Sequence, residues 1–488
     1  MKKKINEDFS LPTGEGWGGE VYFIGIGGIG MSAIARYFHS KGVRVSGYDR
    51  METALTKKLE REGIEVHYEE NIDIIPKDVQ LVVYTPAIPK DHKELVYYQQ
   101  SGYKVVKRSD VLQMITESSF NICIAGTHGK TTITTMIAHL LRDSGYGCNA
   151  FLGGISVNYG TNFWSQTPTV ASESSEKNVY VIEADEYDRS FLKLNPDVAV
   201  ISAMDPDHLD IYGTAEKMDQ AFIDFSRKIK SGGLLLSKYG LKKEKELREE
   251  KHITYSLKNK SADVYAANIK MKNGSYGFDV VMKDNVIAKL KLKIGGLHNV
   301  ENAVAAIAIA DFLGIGNEKI RKAVSSFKGV KRRFEYIIKS DRLIFIDDYA
   351  HHPEELRALI SGAKDLFSGR KCTIIFQPHL YTRTKDLANG FAEVLDMADE
   401  VILLPIYPAR ELPIKGVSSE MILKKMSKGL LLEKSENKKV MSKKDLLKWI
   451  KNDFIKKMNK DSQRVLITAG AGDIDLLVEQ IKNILKDR

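Results

Sequence analysis

The sequence predicts an α/β protein in which two Rossmann-like domains flank a central domain with an antiparallel β insertion. Short apolar runs alternate with amphipathic segments over most of the 488 residues. This alternation favours parallel sheets covered by helices. Two glycine-rich loops each stand between an apolar run and a helical pattern. The length allows two to four domains of roughly 100–200 residues each.

The first domain is expected to run from residue 1 to about 115. Buried strands are predicted at "VYFIGI", "VRVSGY" and "LVVYT", and the helix "IGMSAIARYFHS" follows the first of them. Strand-then-helix repetition of this kind is typical of a Rossmann-like sheet.

The second domain is expected over residues 116–330. It opens with the strand "NICIAG" and the helix "TTITTMIAHLLRDS". From about 253 to 295, polar and apolar residues alternate around the turn sequences "KNGS" and "KDN", a pattern that indicates antiparallel hairpins. An Ala-rich helix then ends at Gly314. The α/β alternation resumes in the third domain, residues 331–488.

Composition and charge exclude several classes of protein. Apolar residues make up 43% and charged residues 28% of the chain, as in ordinary globular proteins. The net charge of +9 is spread over segments of mixed sign, so we expect no nucleic-acid partner. No apolar run reaches 18 residues, so we expect no membrane span. A mild positive excess suits anionic small substrates.

The N-terminal segment and the cysteines indicate the cellular compartment of the protein. "MKKKINEDFS" turns polar too soon for a signal peptide. The cysteines Cys123, Cys148 and Cys372 are far apart and form no C-x-x-C pair, which argues against a disulfide framework or a zinc site. We therefore expect a cytoplasmic protein. The sequence leaves open whether it is a monomer or a homodimer.

The segment "GTHGKTT" has the context of a phosphate-binding loop, since it follows an apolar strand and opens a helix. It is shorter than the usual loop, which has four residues between its glycines. Lys130 can neutralise β- and γ-phosphates, and Thr131 can hold Mg²⁺. The predicted ATP-phosphate loop consists of Gly126, Thr127, His128, Gly129, Lys130, Thr131 and Thr132. The central domain is therefore of the P-loop ATPase type.

Acidic and histidine residues at two further strand ends are candidate metal ligands. Glu183 ends the apolar run "VYVIE", and His208 stands in "DPDHLD" after another strand. Mg²⁺ takes oxygen ligands and bridges phosphates, and ligands of α/β proteins gather at strand carboxyl ends. The alternatives are a solvated acidic loop for Glu183 and a structural role for His208.

Two other motifs permit two interpretations each. In "GLHNVENA", His298, Asn299 and Asn302 can read an adenine edge, but Asn299 can equally cap the helix. The loop "GIGGIGMS" with the later Asp49 fits a dinucleotide fingerprint. Because such a loop recognises a pyrophosphate, NAD and other nucleotide diphosphates both satisfy it.

The third domain carries three dense polar patches. They contain Arg333 in "GVKRRFE", then Asp347, Tyr349 and His351 in "DDYAHHP", then His379 and Arg383 in "QPHLYTRT". Arginines suit phosphates or carboxylates. The alternative for the His-His-Pro sequence is a helix entry with Pro353 in the first turn.

Taken in order, these motifs resemble those of the Mur ligase family over nearly the whole chain. The resemblance implies ATP-dependent ligation of L-alanine to the lactyl carboxylate of UDP-N-acetylmuramate through an acyl phosphate, a step of peptidoglycan precursor synthesis. It implies that the first glycine loop binds the UDP-sugar and that the second, short as it is, binds ATP. It also implies Mg²⁺ as cofactor.

The resemblance carries these roles to individual residues of this chain. Lys130, Glu183, His208, His351 and Arg383 resemble catalytic residues, with Thr131, Glu183 and His208 as metal ligands. His298, Asn299 and Asn302 resemble adenine contacts, and Arg333 and Asp347 resemble contacts to the phosphates and ribose of ATP. The expected substrate contacts are Gly28, Gly30, Met31, Ser32, Asp49, Tyr349 and His379.

Two departures from the family and three rival functions accompany this interpretation. Leu380 replaces an arginine of the motif, so one cationic contact is lost unless Arg410 supplies it. Lys217 stands too close to the "DH" motif to be the carbamoylated lysine of sister ligases. The nearest rival is a recycling ligase that attaches the tripeptide L-Ala-γ-D-Glu-diaminopimelate. An NAD-dependent dehydrogenase and a non-catalytic regulator are the others.

Overall fold

The computed structural model describes residues 19–165, 178–206, 209–247, 250–272, 274–409, 411–426, 437–460 and 463–486. Among these residues the strands form a five-stranded, a ten-stranded and a six-stranded sheet. By contact density the chain forms two compact units. The first comprises 1–267, 279–288 and 301–324, and the second 268–278, 289–300 and 325–488. The α/β fold class is therefore confirmed, and the exact domain boundaries stay a prediction.

The N-terminal sheet is parallel throughout, in the order β3-β2-β1-β4-β5. Its strands are β1 (Glu20–Ile24), β2 (Arg44–Tyr48), β3 (Glu65–His67), β4 (Val79–Tyr84) and β5 (Val105–Lys107). Its helices are α1 (Ile29–Ser40), α2 (Ala54–Arg61), α3 (Lys93–Gln100) and α4 (Arg108–Glu117). The strand order reverses at β1, so the carboxyl end of β1 is a topological switch point, where ligands bind in such sheets.

Strand β1 is buried on both faces, which explains its unbroken apolar run. Val21 and Phe23 belong to one apolar cluster, and Tyr22 and Ile24 to a second on the opposite face. The first cluster also contains Cys123 and other residues of the central sheet. One continuous core therefore supports both glycine loops.

The central sheet has the order β15-β14-β13-β12-β11-β10-β6-β9-β7-β8. Its strands are β6 (Phe120–Ala125), β7 (Asn149–Phe151), β8 (Phe163–Trp164), β9 (Val179–Glu183), β10 (Val198–Ile201), β11 (Leu234–Lys238), β12 (His252–Ser256), β13 (Val264–Lys272), β14 (Ser275–Met282) and β15 (Val286–Leu292). The helices are α5 (Lys130–Asp143), α6 (Leu209–Tyr212), α7 (Ala215–Ser226), α8 (Leu297–Phe312) and α9 (Asn317–Ser326), with short 3-10 segments at Tyr187–Lys193 and Glu244–Glu246.

The predicted antiparallel insertion begins later than the sequence pattern indicates. Strand β12 pairs in parallel with both β11 and β13, so the prediction was wrong for its first strand. The strands β13, β14 and β15 are neighbours in the sheet, and their connections are so short that only antiparallel pairing allows them. Alternation along β12 reflects partial burial and does not fix strand direction.

The C-terminal sheet has the order β16-β17-β21-β18-β19-β20, with only the β16–β17 pair antiparallel among the described pairs. Its strands are β16 (Glu335–Lys339), β17 (Leu343–Asp348), β18 (Lys371–Phe376), β19 (Glu400–Leu403), β20 (Lys438–Val440) and β21 (Arg464–Ala469). Its helices are α10 (Pro353–Leu366), α11 (Tyr381–Asp386), α12 (Ala388–Leu395), α13 (Ser419–Met426), α14 (Lys443–Trp449), α15 (Ile455–Lys460) and α16 (Asp475–Lys486), with a π-helical turn between α14 and α15.

Two features considered in the sequence, membrane spans and the state of the cysteines, can be examined in this fold. Across the described ranges no helix combines the length and the hydropathy of a membrane-spanning segment. All three cysteines are buried and free of disulfide bonds, and burial raises the pKa of each thiol.

Candidate active site

The predicted phosphate loop joins the buried strand β6 to the first turn of α5, and its two glycines are required by geometry. Gly126 has φ +132°, and a Cβ on it would lie 2.3 Å from Oγ of Ser202. Gly129 has φ +83°, and a Cβ there would lie 2.9 Å from Oδ1 of Asn302. Only glycine combines these conformations with such close neighbours. The helix therefore starts directly at Lys130, with its first N–H groups available to an anion.

The ammonium of Lys130 is held by two acceptors. It donates to the carbonyl oxygen of Gly126 at 2.8 Å and to Oε1 of Glu186 at 2.7 Å. Burial raises the pKa of the Glu186 carboxyl, although Lys130 acts in the opposite direction. The sequence analysis did not assign Glu186 a role, although it lies three residues after Glu183 in the same motif.

Glu183 ends β9 beside the same helix. Its carboxylate accepts from Oγ1 of Thr131 at 3.1 Å and from the backbone N–H of Gly153 at 3.0 Å. A Cβ on Gly153 would lie 2.2 Å from both carboxylate oxygens, so a side chain at this position would displace the Glu183 carboxylate. Thr131 and Glu183 thus place a hydroxyl and a carboxylate together, the oxygen donors that Mg²⁺ prefers. The third predicted metal ligand, His208, lies outside the described residues.

The rest of the phosphate loop is fixed to the strand after it. The N–H of Thr127 donates to the carbonyl of Ala203 at 3.2 Å, and its Oγ1 accepts from the N–H of Asp205 at 3.2 Å. His128 is exposed, with Nε2 3.8 Å from a carboxylate oxygen of Asp205. Thr132 is buried in the first turn of α5. The loop is therefore held rigidly at the carboxyl edge of the sheet.

The first glycine loop has the predicted strand-loop-helix context. Asp49 follows β2, and its Oδ2 accepts from the N–H of Gly27 at 2.8 Å. Gly28 stands at the N-cap of α1. Met31 is buried, and so is Ser32, whose hydroxyl donates to the carbonyl of Ile29 at 3.0 Å and accepts from the amide of Asn162 at 2.9 Å. The bond from Asn162, the residue directly before β8, ties α1 to the edge of the central sheet.

A cleft connects the first glycine loop with Glu183. Its walls include Gly30, Glu183 and Asp185, together with apolar side chains. The guanidinium of Arg108 also lines this cleft and donates to Oδ2 of Asp185 at 3.1 Å. The sequence analysis missed Arg108. Its position directly after a parallel strand, where functional residues gather, was the available signal.

The three residues of the predicted adenine motif have different surroundings. His298 is exposed, whereas Asn299 is buried and its amide donates to the carbonyl of Gly295 at 2.6 Å. Asn302 is buried with its Oδ1 close to Gly129. The hydrogen bond of Asn299 ties the first turn of α8 to Gly295, just before the helix. Asn302 lies beside Gly129 of the predicted phosphate loop. Adenine contact stays a prediction for all three.

In the second unit, Asp347 lies at the end of β17 and is buried. Its Oδ1 accepts from Oγ1 of Thr468 at 2.6 Å, and its Oδ2 lies 3.6 Å from Nε of Arg332. Burial raises its pKa to about 7, against the effect of Arg332. The guanidinium groups of Arg332 and Arg333 stand 5.0 and 5.5 Å from the ring centre of Tyr349.

Histidines from two loops of the C-terminal sheet come together. The rings of His351 and His379 are 6.1 Å apart, and His379 stacks on Tyr407 at 5.7 Å. Nη1 of Arg383 is 3.4 Å from Nδ1 of His379. Burial, followed by Arg383 and His351, lowers the pKa of His379 to about 4. Burial likewise lowers the pKa of His351, whose Nδ1 lies 3.4 Å from Glu355.

The next residues to consider are the His-His-Pro sequence, for which a helix start was the alternative, and the positions at which the chain departs from the family. His352 stands at the N-cap of α10 and Pro353 is its first residue, so the His-His-Pro sequence does begin a helix. Leu380, where the family has arginine, has φ +70° and starts α11. Arg410 lies outside the described residues. Lys217 is in the first turn of α7, where its N–H donates to Oγ1 of Thr214 at 3.3 Å.

Parallel sheets with two glycine-rich loops, each between a buried strand and a helix, define an α/β protein of the nucleotide-binding type. Family models match three successive stretches: "Mur ligase family, catalytic domain" over residues 20–119, "Mur ligase middle domain" over 124–310 and "Mur ligase, glutamate ligase domain" over 332–472. The chain belongs to the Mur ligase family. It is an enzyme that forms an amide bond with consumption of ATP.

Curated relatives match almost the whole chain. The UDP-N-acetylmuramate–L-alanine ligase of Porphyromonas gingivalis is 47% identical over 96% of this chain and 99% of its own length. The UDP-N-acetylmuramate–L-alanine ligase of Phocaeicola vulgatus is 46% identical over 96% of this chain and 98% of its own length. The crystal structure of UDP-N-acetylmuramate-alanine ligase from Thermotoga maritima is 28% identical, with a TM-score of 0.79 over 96% and 99%. A murein peptide ligase from Psychrobacter arcticus shares the fold at 23% identity and a TM-score of 0.66 over the same shares.

Proposed function

We propose that this ligase joins L-alanine to the lactyl carboxylate of UDP-N-acetylmuramate and converts ATP to ADP and phosphate, as a step of peptidoglycan precursor synthesis. The observation that carries the proposal is the cleft in which the first glycine loop and Glu183 face one another. A sugar nucleotide bound at the loop has its other end directed towards the phosphate loop. Relatives of 46–47% identity carry the name of this activity.

The chemistry brings together two anions, a carboxylate and the γ-phosphate of ATP, so the site has to supply positive charge. The N–H groups at the start of α5 and the ammonium of Lys130 provide it at the phosphate loop. Attack by the carboxylate on the γ-phosphate gives an acyl phosphate and ADP. The amine of L-alanine then attacks the carbonyl carbon, and phosphate leaves as the amide bond forms.

Mg²⁺ is the proposed cofactor, held by Thr131 and Glu183, with His208 as a further ligand. When bound, it neutralises phosphate charge and orients the transferring group. The oxygen donors fit this ion, because Oγ1 of Thr131 and Oε1 of Glu183 are 3.1 Å apart at the start of α5. The N–H of Gly153 fixes the other oxygen of the carboxylate, which preserves its orientation.

The remaining roles are proposed for the second unit. Arg333 and Asp347 serve ATP, and Tyr349, His351, His379 and Arg383 serve the amino acid and the lactyl end. A neutral His379 accepts a hydrogen bond from an ammonium or amine without repelling it, which fits its lowered pKa. Location in the cytoplasm accords with three free, buried cysteines.

The tripeptide-recycling ligase is the second candidate. The identity to the murein peptide ligase is only 23%, a level that indicates a shared fold, against 46–47% to the L-alanine ligases. The dehydrogenase candidate does not account for a phosphate loop with Lys130 and Thr131. The L-alanine ligase is therefore the function we assign.

Phosphate release from ATP tests the assignment. The reaction contains Mg²⁺ and UDP-N-acetylmuramate, with L-alanine, glycine, L-serine or the tripeptide as acceptor. We expect release that depends on L-alanine and is lost in Lys130→Ala, by roughly 10²- to 10³-fold or more. Lys57→Ala, which removes an exposed cation paired with Glu52, is the control. Release with the tripeptide alone would identify the recycling ligase, and no release with any acceptor would refute a ligase.

A further inference from the structure

Arg108 lies between Gly30 of the first glycine loop and Asp185 in the segment after β9. It is the first residue of α4, directly after β5. Its Nη2 donates to Oδ2 of Asp185 at 3.1 Å. On the other side, a Cβ placed on Gly30 would lie 2.1 Å from Nη1 and 3.2 Å from Cζ. The guanidinium therefore fills the space that the missing side chain of Gly30 leaves.

The charged residues that line the cleft indicate what kind of ligand Arg108 can bind. Of the described residues that line it, Arg108 is the cation, and Glu183 and Asp185 are the carboxylates. Leu112 and Phe151 add apolar surface to the same cleft, and one of the two carboxylates, Asp185, accepts from Arg108. Asp185 pairs with Nη2 of Arg108, whereas Nη1 lies on the side of Gly30, so an anion that enters beside Gly30 meets this edge of the guanidinium. The geometry thus places a cation beside Gly30, at the start of α1.

We propose that Arg108 binds the diphosphate of the sugar nucleotide; this inference rests on the proposed function. Gly30 lies in the first turn of α1, whose N–H groups face an anion held by the loop. The guanidinium beside them donates two parallel hydrogen bonds to phosphate oxygens, as its planar fork allows. Asp185 orients Arg108 through Nη2, and phosphate oxygens replace or share that bond when the nucleotide binds.

A second ion pair of the same helix supplies a matched control. Lys193 pairs with Asp110 of α4, so this pair also links α4 to the segment after β9, but neither residue lines the cleft. A role of Arg108 in holding α4 in place predicts similar effects for Arg108→Gln and Lys193→Gln. A role in ligand binding predicts an effect for Arg108→Gln alone.

Binding calorimetry with UDP-N-acetylmuramate and with UDP, without ATP or L-alanine, tests the inference. For Arg108→Gln we expect both ligands to bind about 10- to 100-fold more weakly, the range expected for hydrogen bonds to charged groups. Binding of ATP and of either ligand to Lys193→Gln should equal the wild type. Unchanged UDP binding in Arg108→Gln would overturn the assignment, even if UDP-N-acetylmuramate binding weakened.

Two further variants decide the case in which Arg108→Gln does not fold. Arg108→Lys keeps the charge and the pair with Asp185 but lacks the planar fork, so we expect weaker UDP binding at an unchanged melting temperature. Gly30→Ala displaces the guanidinium and should weaken UDP binding as well. Wild-type affinity for UDP in both variants would refute the role of Arg108. A wild-type enzyme that does not bind UDP-N-acetylmuramate would instead refute the proposed function.

Discussion

The ammonium of Lys130 lies 2.7 Å from Oε1 of Glu186, and the Glu186 side chain is 1% exposed. Lys130 also donates to the carbonyl of Gly126 at 2.8 Å. The buried carboxylate therefore fixes the cation of the phosphate loop on the side of β9. In the proposed function the β- and γ-phosphates of ATP compete for the same ammonium, so we expect this pair to couple ATP binding to the stability of the loop.

The variant Glu186→Gln tests that coupling. The amide keeps the shape of the carboxyl but leaves the mostly buried ammonium without its counter-charge, so the free energy of unfolding should fall by about 1–3 kcal/mol. ATP restores negative charge beside Lys130, so the rise in melting temperature on adding ATP should exceed that of the wild type. Thermal unfolding with and without ATP measures both effects.

An exposed pair provides the comparison for Glu186→Gln. Glu246 pairs with Lys243 at the surface, where both side chains are well exposed. Glu246→Gln should change the free energy of unfolding by less than about 1 kcal/mol and leave the ATP-induced shift unaltered. Equal ATP-induced shifts in wild type and Glu186→Gln would show that the pair is not coupled to ATP.

Gly126→Ala should abolish ATP binding. The added Cβ would lie 2.3 Å from Oγ of Ser202 and 2.8 Å from the backbone nitrogen of Ala203, so β6 and β10 would have to separate. Gly145→Ala is the matched control, because Gly145 also has positive φ, at the other end of the same helix, but has nothing within 4 Å of a Cβ. Its cost is limited to backbone strain of about 1–2 kcal/mol. Binding of a fluorescent ATP analogue distinguishes the two.

Glu183→Gln should raise the Mg²⁺ concentration needed for half-maximal phosphate release by roughly ten-fold or more, since an amide binds a hard cation less well than a carboxylate. The amide oxygen can still accept from the N–H of Gly153, and the NH₂ group can donate to Oγ1 of Thr131, so the fold should persist. Glu117→Gln, in an exposed turn at the end of α4, should leave the Mg²⁺ titration unchanged. An unchanged titration in Glu183→Gln would remove Glu183 from the metal site.

His379 predicts a pH dependence of stability. Its pKa is lowered from 6.5 to about 4, first by burial and then by Arg383 and His351. A lowered histidine pKa means that its contribution to stability is complete above pH 6.5 and is lost as the pH falls towards 4. We therefore compare the free energies of unfolding of the wild type and of His379→Gln. The wild type's advantage should stay constant above about pH 7 and decrease as the pH is lowered from 6.5 to 4. Chemical denaturation across this range checks it, and a constant difference throughout would contradict it.

Much of the architecture was predictable from local patterns. The apolar runs "VYFIGI" and "NICIAG" became β1 and β6 because strands buried on both faces need unbroken apolar residues. Glycines marked both loops, and at Gly25, Gly126 and Gly129 a positive φ and close neighbours exclude other residues. The direction of β12 was not predictable, because half-buried parallel and antiparallel strands share one alternation.

The sequence by itself determined the fold class, the two glycine-rich loops and the family. These depend on short segments whose chemistry is local: a glycine conformation, a lysine at a helix start, a carboxylate at a strand end. Only the tertiary structure decided which charges meet, because Arg108 and Asp185, or Lys130 and Glu186, come from different elements far apart in the chain. Strand order and packing bring such groups within hydrogen-bond distance, and no periodicity along the sequence encodes that distance.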